Sequence, residues 1–191
     1  MISRDQALAL LRSMPQQQSD MNHYLETEAI MKALARHFGE DEGYWGMIGL
    51  LHDVDWAVTK DNVSEHTVKA EEILKENGFD EGFIQIIQSH GYGHDLIPKF
   101  KDKQRTKKIE HALIASETLT GIIYAYALLR GRKVSDMEAK GLMKRFKEKS
   151  FAANCSRESV REIEKTGLAL DEFFRIAIDA VKGIAGQIGL G

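Results

Sequence analysis

Cysteine is almost absent from this sequence: Cys155 is the single one in 191 residues. One thiol cannot close an intramolecular disulfide, so the expected setting is reducing and cytoplasmic. Proline is nearly as scarce, with Pro15 and Pro98 alone, so long uninterrupted helices are permitted. Alternating apolar and polar residues, the pattern of a half-buried strand, hardly occur. Apolar residues at helical spacing recur throughout, and the chain reads as all-α. An excess of one charge is also lacking. The net charge is −3 and the pI about 6.2, which argues against nucleic acid as a partner. The longest apolar run, Leu119 to Leu129, spans 11 residues, well short of a bilayer crossing. The N-terminus, with Arg4 and Asp5, has no apolar core of a signal peptide. No membrane contact is expected. With 43% hydrophobic and 29% charged residues, residues 1–191 suit one globular domain with a real core.

Helix signals divide the chain. Ser3 suits the cap of a first helix, Arg4 to Arg12. Pro15 and Gln16 to Gln18 make a loop. Ser19 or Asp20 opens a second helix, Met21 to Phe38, closed by Gly39. A third runs from Asp41 to His52. After a loop, Val54 to Val63, Ser64 is the expected cap of a helix from Glu65 to Asn77. Others are expected over Phe79 to Ser89, Lys107 to Arg130, Ser135 to Leu142, Ser156 to Thr166 and Leu168 to Ile188. The late glycines, Gly183, Gly186, Gly189 and Gly191, are expected to let the tail fray.

The chemistry gathers around Gly46 to Trp56. Met47, Ile48, Leu50 and Leu51 point to a buried helix that ends in His52-Asp53, with Asp55 just beyond. A buried carboxylate needs a cationic partner, and imidazole with carboxylate suits divalent first-row ions. His23 falls on the apolar face of its helix, His66 in a first turn, and His90 after an apolar helix end. Glu117 stands within the apolar stretch Ala112 to Leu129. Each has a plain structural reading when judged alone; five separate segments presenting such groups are a less probable accident. His94 lies past two glycines. Lys99 to Lys108 holds six basic residues, readable as a solvated face or as an electropositive rim for an anion. His37 reads as a surface residue, Glu110 and His111 as structural or exposed, and Cys155 as a small apolar filler.

In the order and spacing of these segments the chain resembles the HD-domain superfamily of metal-dependent phosphohydrolases, in its small stand-alone bacterial form. His23 matches the first histidine of that pattern and His52-Asp53 its signature pair. The segment beginning at His66 resembles the one that gives an extra histidine in two-metal members. Ile87 to His90 resembles the next helix end, and Ala112 to Leu119 the helix carrying the last acid. Two departures are visible: Glu117 stands where the family usually has Asp, and Asp55 and Trp56 stand where many members have a lysine. The resemblance covers about residues 20–130, with a helical extension over residues 131–191. It implies an HD-domain helical bundle and one or two divalent ions (Mn, Fe, Ni, Co or Mg) held by His23, His52, Asp53, His66, His90 and Glu117, with Asp53 shared. It further implies a metal-activated water that attacks a small phosphate ester such as a nucleotide. Asp53 and Asp55 are then the catalytic candidates, with Asp55 orienting water or taking a proton. His94, Lys69 and the Lys99–Lys108 run are the candidate substrate contacts. A di-iron oxygenase on the same ligands, or a non-catalytic module that binds nucleotide or metal, are the alternatives.

Overall fold

The computed structural model describes residues 2–191, and every regular element among them is helical. Ten α-helices follow in order: α1 Arg4–Arg12, α2 Gln18–Phe38, α3 Glu42–Leu51, α4 Trp56–Thr59, α5 Ala70–Glu76, α6 Glu81–Gln88, α7 Lys108–Leu129, α8 Ala139–Lys147, α9 Arg157–Arg161 and α10 Leu170–Ile188. Short 3-10 turns link several of them. The core is built on α2, which packs against α3, α10 and α7. Tyr24, Ile30, Met31 and Leu34 of α2 and Ile48, Leu50 and Leu51 of α3 have no solvent exposure.

Local chemistry explains most boundaries. Ser3 and Gln6 form a reciprocal capping box for α1. Asp20 accepts from the Gln17 backbone N–H at 3.0 Å, so α2 starts earlier than its Ser19 or Asp20 cap implied. Gly39 ends α2 in the left-handed region, at φ 71°. Asp41 caps α3 by accepting from Tyr44 N–H.

The crossing of α2 and α3 is unusually close. A Cβ at Gly49 would lie 2.8 Å from the Thr27 carbonyl oxygen and 3.0 Å from Glu28 backbone atoms. Only a glycine allows two backbones that near each other. This contact sits one turn before His52 and one turn after His23, so it sets their separation.

Three expectations change. The helix proposed from Glu65 to Asn77 begins only at Ala70. Ser64 bonds the Asn62 side chain instead of capping, Val63–Glu65 is a 3-10 turn, and Thr67 has φ 64°. His66 therefore stands on a turn ahead of α5, not in its first turn. The Ser135–Leu142 helix lies further on, as α8, and the intervening chain is held by Val134 N–H donating to Leu190 O at 3.1 Å. That bond, with Asn22 donating to Ile188 O at 3.0 Å, ties down the tail expected to fray; Leu190 has no exposure.

The apolar stretch at Leu119 to Leu129 is part of a longer helix than the run suggested. By length and composition α7 could cross a membrane, but more than half of its apolar stretch is buried inside the protein. It is a core helix here. His111 accepts this role too: its Nδ1 meets Glu162 at 2.6 Å, joining α7 to the turn after α9, while Glu110 accepts from Thr106 and Lys107 N–H. His37 is exposed.

Candidate metal centre

Four histidines from four segments converge on one carboxylate. His23 comes from α2, His52 from the end of α3, His66 from the turn before α5, and His90 from the 3-10 turn Ser89–Gly91 after α6. Asp53 lies between them. Its Oδ2 is 3.7 Å from His23 Nε2 and 3.5 Å from His52 Nε2. Its Oδ1 is 3.3 Å from His66 Nε2 and 3.2 Å from His90 Nε2. Two donor groups result, His23–His52–Asp53 and Asp53–His66–His90, each with its ligand atoms within 4.8 Å of one another.

Hydrogen bonds on the far side of each ring fix which nitrogen carries the proton. His52 Nδ1 lies 2.8 Å from Gly49 O and His90 Nδ1 lies 2.6 Å from Ile87 O. A carbonyl can only accept, so both Nδ1 atoms donate. Each histidine follows a helix end and reaches the carbonyl three residues back, one of the groups a helix terminus leaves unpaired. His66 Nδ1 meets Asp55 Oδ1 at 3.0 Å. His23 Nδ1 meets Thr120 Oγ1 at 2.8 Å, and that hydroxyl already donates to Glu117 O at 2.6 Å. It must therefore accept from His23. When neutral, each of the four rings turns an Nε2 lone pair inward.

These inward nitrogens face each other in pairs, His23 and His52 at 3.0 Å and His66 and His90 at 3.1 Å. Two lone pairs at that separation repel unless positive charge stands between them. The donor set, imidazole nitrogens plus a shared carboxylate, fits divalent first-row ions. Electrostatics set the charge of the ion-free site. Burial pushes the His66 imidazole down, but Asp53 and Asp55 outweigh it and lift it to about 10, so this ring carries a proton that an ion would have to displace. Burial pushes His52 down to about 3, against the pull of Asp53, so it is neutral at physiological pH and ready to ligate. Burial would raise the Asp53 carboxyl, yet the imidazoles of His52, His66 and His90 hold it well below the usual range.

Not every expected residue joins the centre. Asp55, expected to orient water or take a proton, has no solvent exposure. One of its oxygens accepts from His66 and the other from Ala70 N–H at 3.2 Å. It holds the His66 ring and anchors the start of α5, the position a carboxylate takes behind a histidine that binds metal. Glu117 lines the same cleft but lies outside both donor groups. Its carboxylate accepts from the Thr118 hydroxyl, and burial raises its pKa, with His23 and Thr118 pulling the other way. Lys69 points elsewhere and pairs with Glu65 at 2.6 Å on the exposed side. His94 stands exposed at the cleft rim. The basic run does not form a rim: Lys99 pairs with Glu71, Lys101 with Asp95, and Lys108 with Glu40. Arg105 donates to the carbonyls of Ser89 and Tyr92, and Lys103 sits over the Tyr92 and Phe100 rings.

The cleft over the centre has a volume of about 500 Å³. Its far wall was not foreseen. Asn154, Cys155, Ser156 and Ser159 line it, all from the C-terminal extension. Cys155, read as filler, packs against α7 so closely that a Cβ at Gly121 would lie 2.7 Å from its Sγ. Thr120, three residues past Glu117 on α7, also belongs to the site, and nothing local in the chain links it to His23.

No solved structure matches this chain. The family model described as the HD domain matches residues 21–140, more than half of the sequence and all of the converging histidines. The order of ligands along the chain and the family match agree, and the chain belongs to the HD domain family.

Proposed function

We propose that this protein is a metal-dependent phosphohydrolase acting on a small phosphate ester, a nucleotide being one such ester, in a cytoplasmic setting. The observation that carries the reading is the split of the Asp53 carboxylate between two imidazole pairs. One oxygen serves each pair, which is the arrangement a shared ligand between two ions needs. His23 and His52 would hold one ion, and His66 and His90 the other. Bound there, divalent ions supply a water of lowered pKa and positive charge against a phosphoryl group.

The chain's own residues supply the rest. Gly49 O, Ile87 O, Asp55 and Thr120 each hold the Nδ1 side of one ring and so keep the four Nε2 atoms turned toward the centre before any ion arrives. That preorganisation lowers the reorganisation needed on binding. Trp56 packs edge-on against His66 at 5.1 Å between centroids and lines the cleft, which limits water on that side. Glu117 and Thr118 stand in the cleft next to the centre and are placed to contact a substrate oxygen or its water.

The test is reconstitution with manganese, iron, cobalt, nickel or magnesium, followed by a screen of phosphomonoesters and phosphodiesters. Turnover that needs the ion and disappears with chelator or with Asp53→Ala is expected. A folded, metal-loaded protein without turnover on any phosphate ester would contradict the proposal; oxygen consumption by the iron-loaded form would favour an oxygenase instead.

A further inference from the structure

Building on that hydrolase reading, we infer that the segment Asn154 to Ser159 selects monophosphate esters with an uncharged, hydroxyl-bearing organic part and rejects di- and triphosphates. The first observation is where the wall comes from. Asn154, Cys155, Ser156 and Ser159 face the two donor groups across the cleft, yet they lie outside the matched residues 21–140. They reach the site from beyond the matched residues.

The second observation is that the wall is prebuilt. Arg157 turns its guanidinium away from the cleft and donates to five backbone carbonyls, those of Phe146, Glu148, Phe151, Ala152 and Cys155. A planar five-donor group that closes a loop on itself leaves that loop little freedom. Cys155 is locked further by its contact with Gly121. The segment is a fixed surface and not a closing flap.

The third observation is charge. No lysine or arginine lines this cleft, while Asp53 and Glu117 do. In the basic run, Lys99, Lys101 and Lys108 are engaged with Glu71, Asp95 and Glu40, Arg105 with backbone carbonyls and Lys103 with aromatic rings. One phosphoryl group placed at the donor groups would have metal charge to meet it. A second or third phosphate would extend along a wall of amide, hydroxyl and thiol groups with no lysine or arginine side chain, near the Glu117 carboxylate. Without a cation or a bidentate guanidinium it would lose hydration without a matching partner. Asn154, Ser156 and Ser159 instead suit hydroxyls of a neutral alcohol portion. Trp56 and Val63, also in the lining, offer that portion an apolar surface.

The test uses the full-length, metal-loaded protein and one nucleoside as its mono-, di- and triphosphate. The expected kcat/KM for the monophosphate exceeds that for either other ester at least tenfold. Placing a cation in the wall, by Asn154→Lys at an exposed position or by Ser159→Lys, should narrow that ratio at least tenfold with metal content unchanged. Equal or faster turnover of the triphosphate by the natural protein would overturn the inference, and so would lysine variants that fold, hold metal and leave the ratio as it was. If none of the esters turns over, calorimetry on the same loaded protein separates the two claims. Tighter binding of the monophosphate than of the triphosphate would uphold the wall's selectivity and count against hydrolysis. Equal binding, or none, would overturn the selectivity as well.

Discussion

Asp55 shows how a residue's place decides its role. In the sequence it is an acid two positions past the signature pair, and its obvious use is with water. In the fold it is fully buried, with one oxygen on His66 Nδ1 and the other on Ala70 N–H. Asp55→Asn should therefore weaken ion binding at the Asp53–His66–His90 group by about 10–100-fold, and leave the other group nearly unaffected. Manganese titration by calorimetry reads this directly; two unchanged affinities would return Asp55 to the water-handling role. Glu26 makes a second residue-scale case. It is 2% exposed with Oε1 unpartnered, and burial lifts its carboxyl from 4.5 to about 8. Between those values the folded chain holds a proton that the unfolded chain has released. Its contribution to stability is then present below pH 4.5 and lost progressively as pH rises to about 8. The loss is on the order of 5 kcal/mol if the whole shift is expressed. Glu26→Gln should flatten the fall of Tm between about pH 5 and pH 8. Parallel Tm profiles for the two proteins would show that Glu26 is not protonated in the fold.

At the scale of elements, the metal centre depends on how closely α2 meets α3. His23 and His52 come within 3.0 Å because Gly49 lets the two backbones approach. Gly49→Ala would force a methyl to 2.8 Å from Thr27 O. The expected result is a loss of roughly 1–3 kcal/mol in stability, measured by denaturant titration, together with weaker ion binding at the His23–His52–Asp53 group. An unchanged midpoint and affinity would mean the crossing adjusts freely. Element order was largely legible: α1, α2, α3, α6, α7 and α10 follow from capping residues and apolar spacing. The start of α5 was not. Ser64 is a good cap by type, but Asp55, fifteen residues upstream of Ala70, anchors the helix instead. No local pattern carries a contact between a turn and a carboxylate on another segment.

At the scale of the molecule, two parts of the chain make one cleft. His23, His52, Asp53 and His90 drew notice because each sits on a buried face or just past an apolar helix end, where an ionisable group needs a reason; His66 was expected in a first turn and stands on the turn ahead of α5. Glu117 was expected among the ligands; it lines the cleft but lies outside both donor groups, because its reach depends on side-chain direction, which spacing along α7 does not give. The extension's share was not legible at all, since Asn154, Ser156 and Ser159 are ordinary polar residues until the fold brings them over the centre. Arg157 holds that share in place. Arg157→Ala should lower Tm by several degrees through loss of its five carbonyl contacts and raise KM for the monophosphate, while metal content stays constant. A large loss of metal instead would mean the extension supports the centre itself.

The shared carboxylate is the central claim, and counting ions tests it most directly. The natural protein and Asp53→Ala would be reconstituted with manganese, freed of excess ion and assayed for metal per chain by mass spectrometry, with circular dichroism to confirm the helical fold. One ion for each donor group is expected in the natural protein, and near-complete loss of both in the folded variant. Full occupancy of both groups in Asp53→Ala would contradict a carboxylate shared between them.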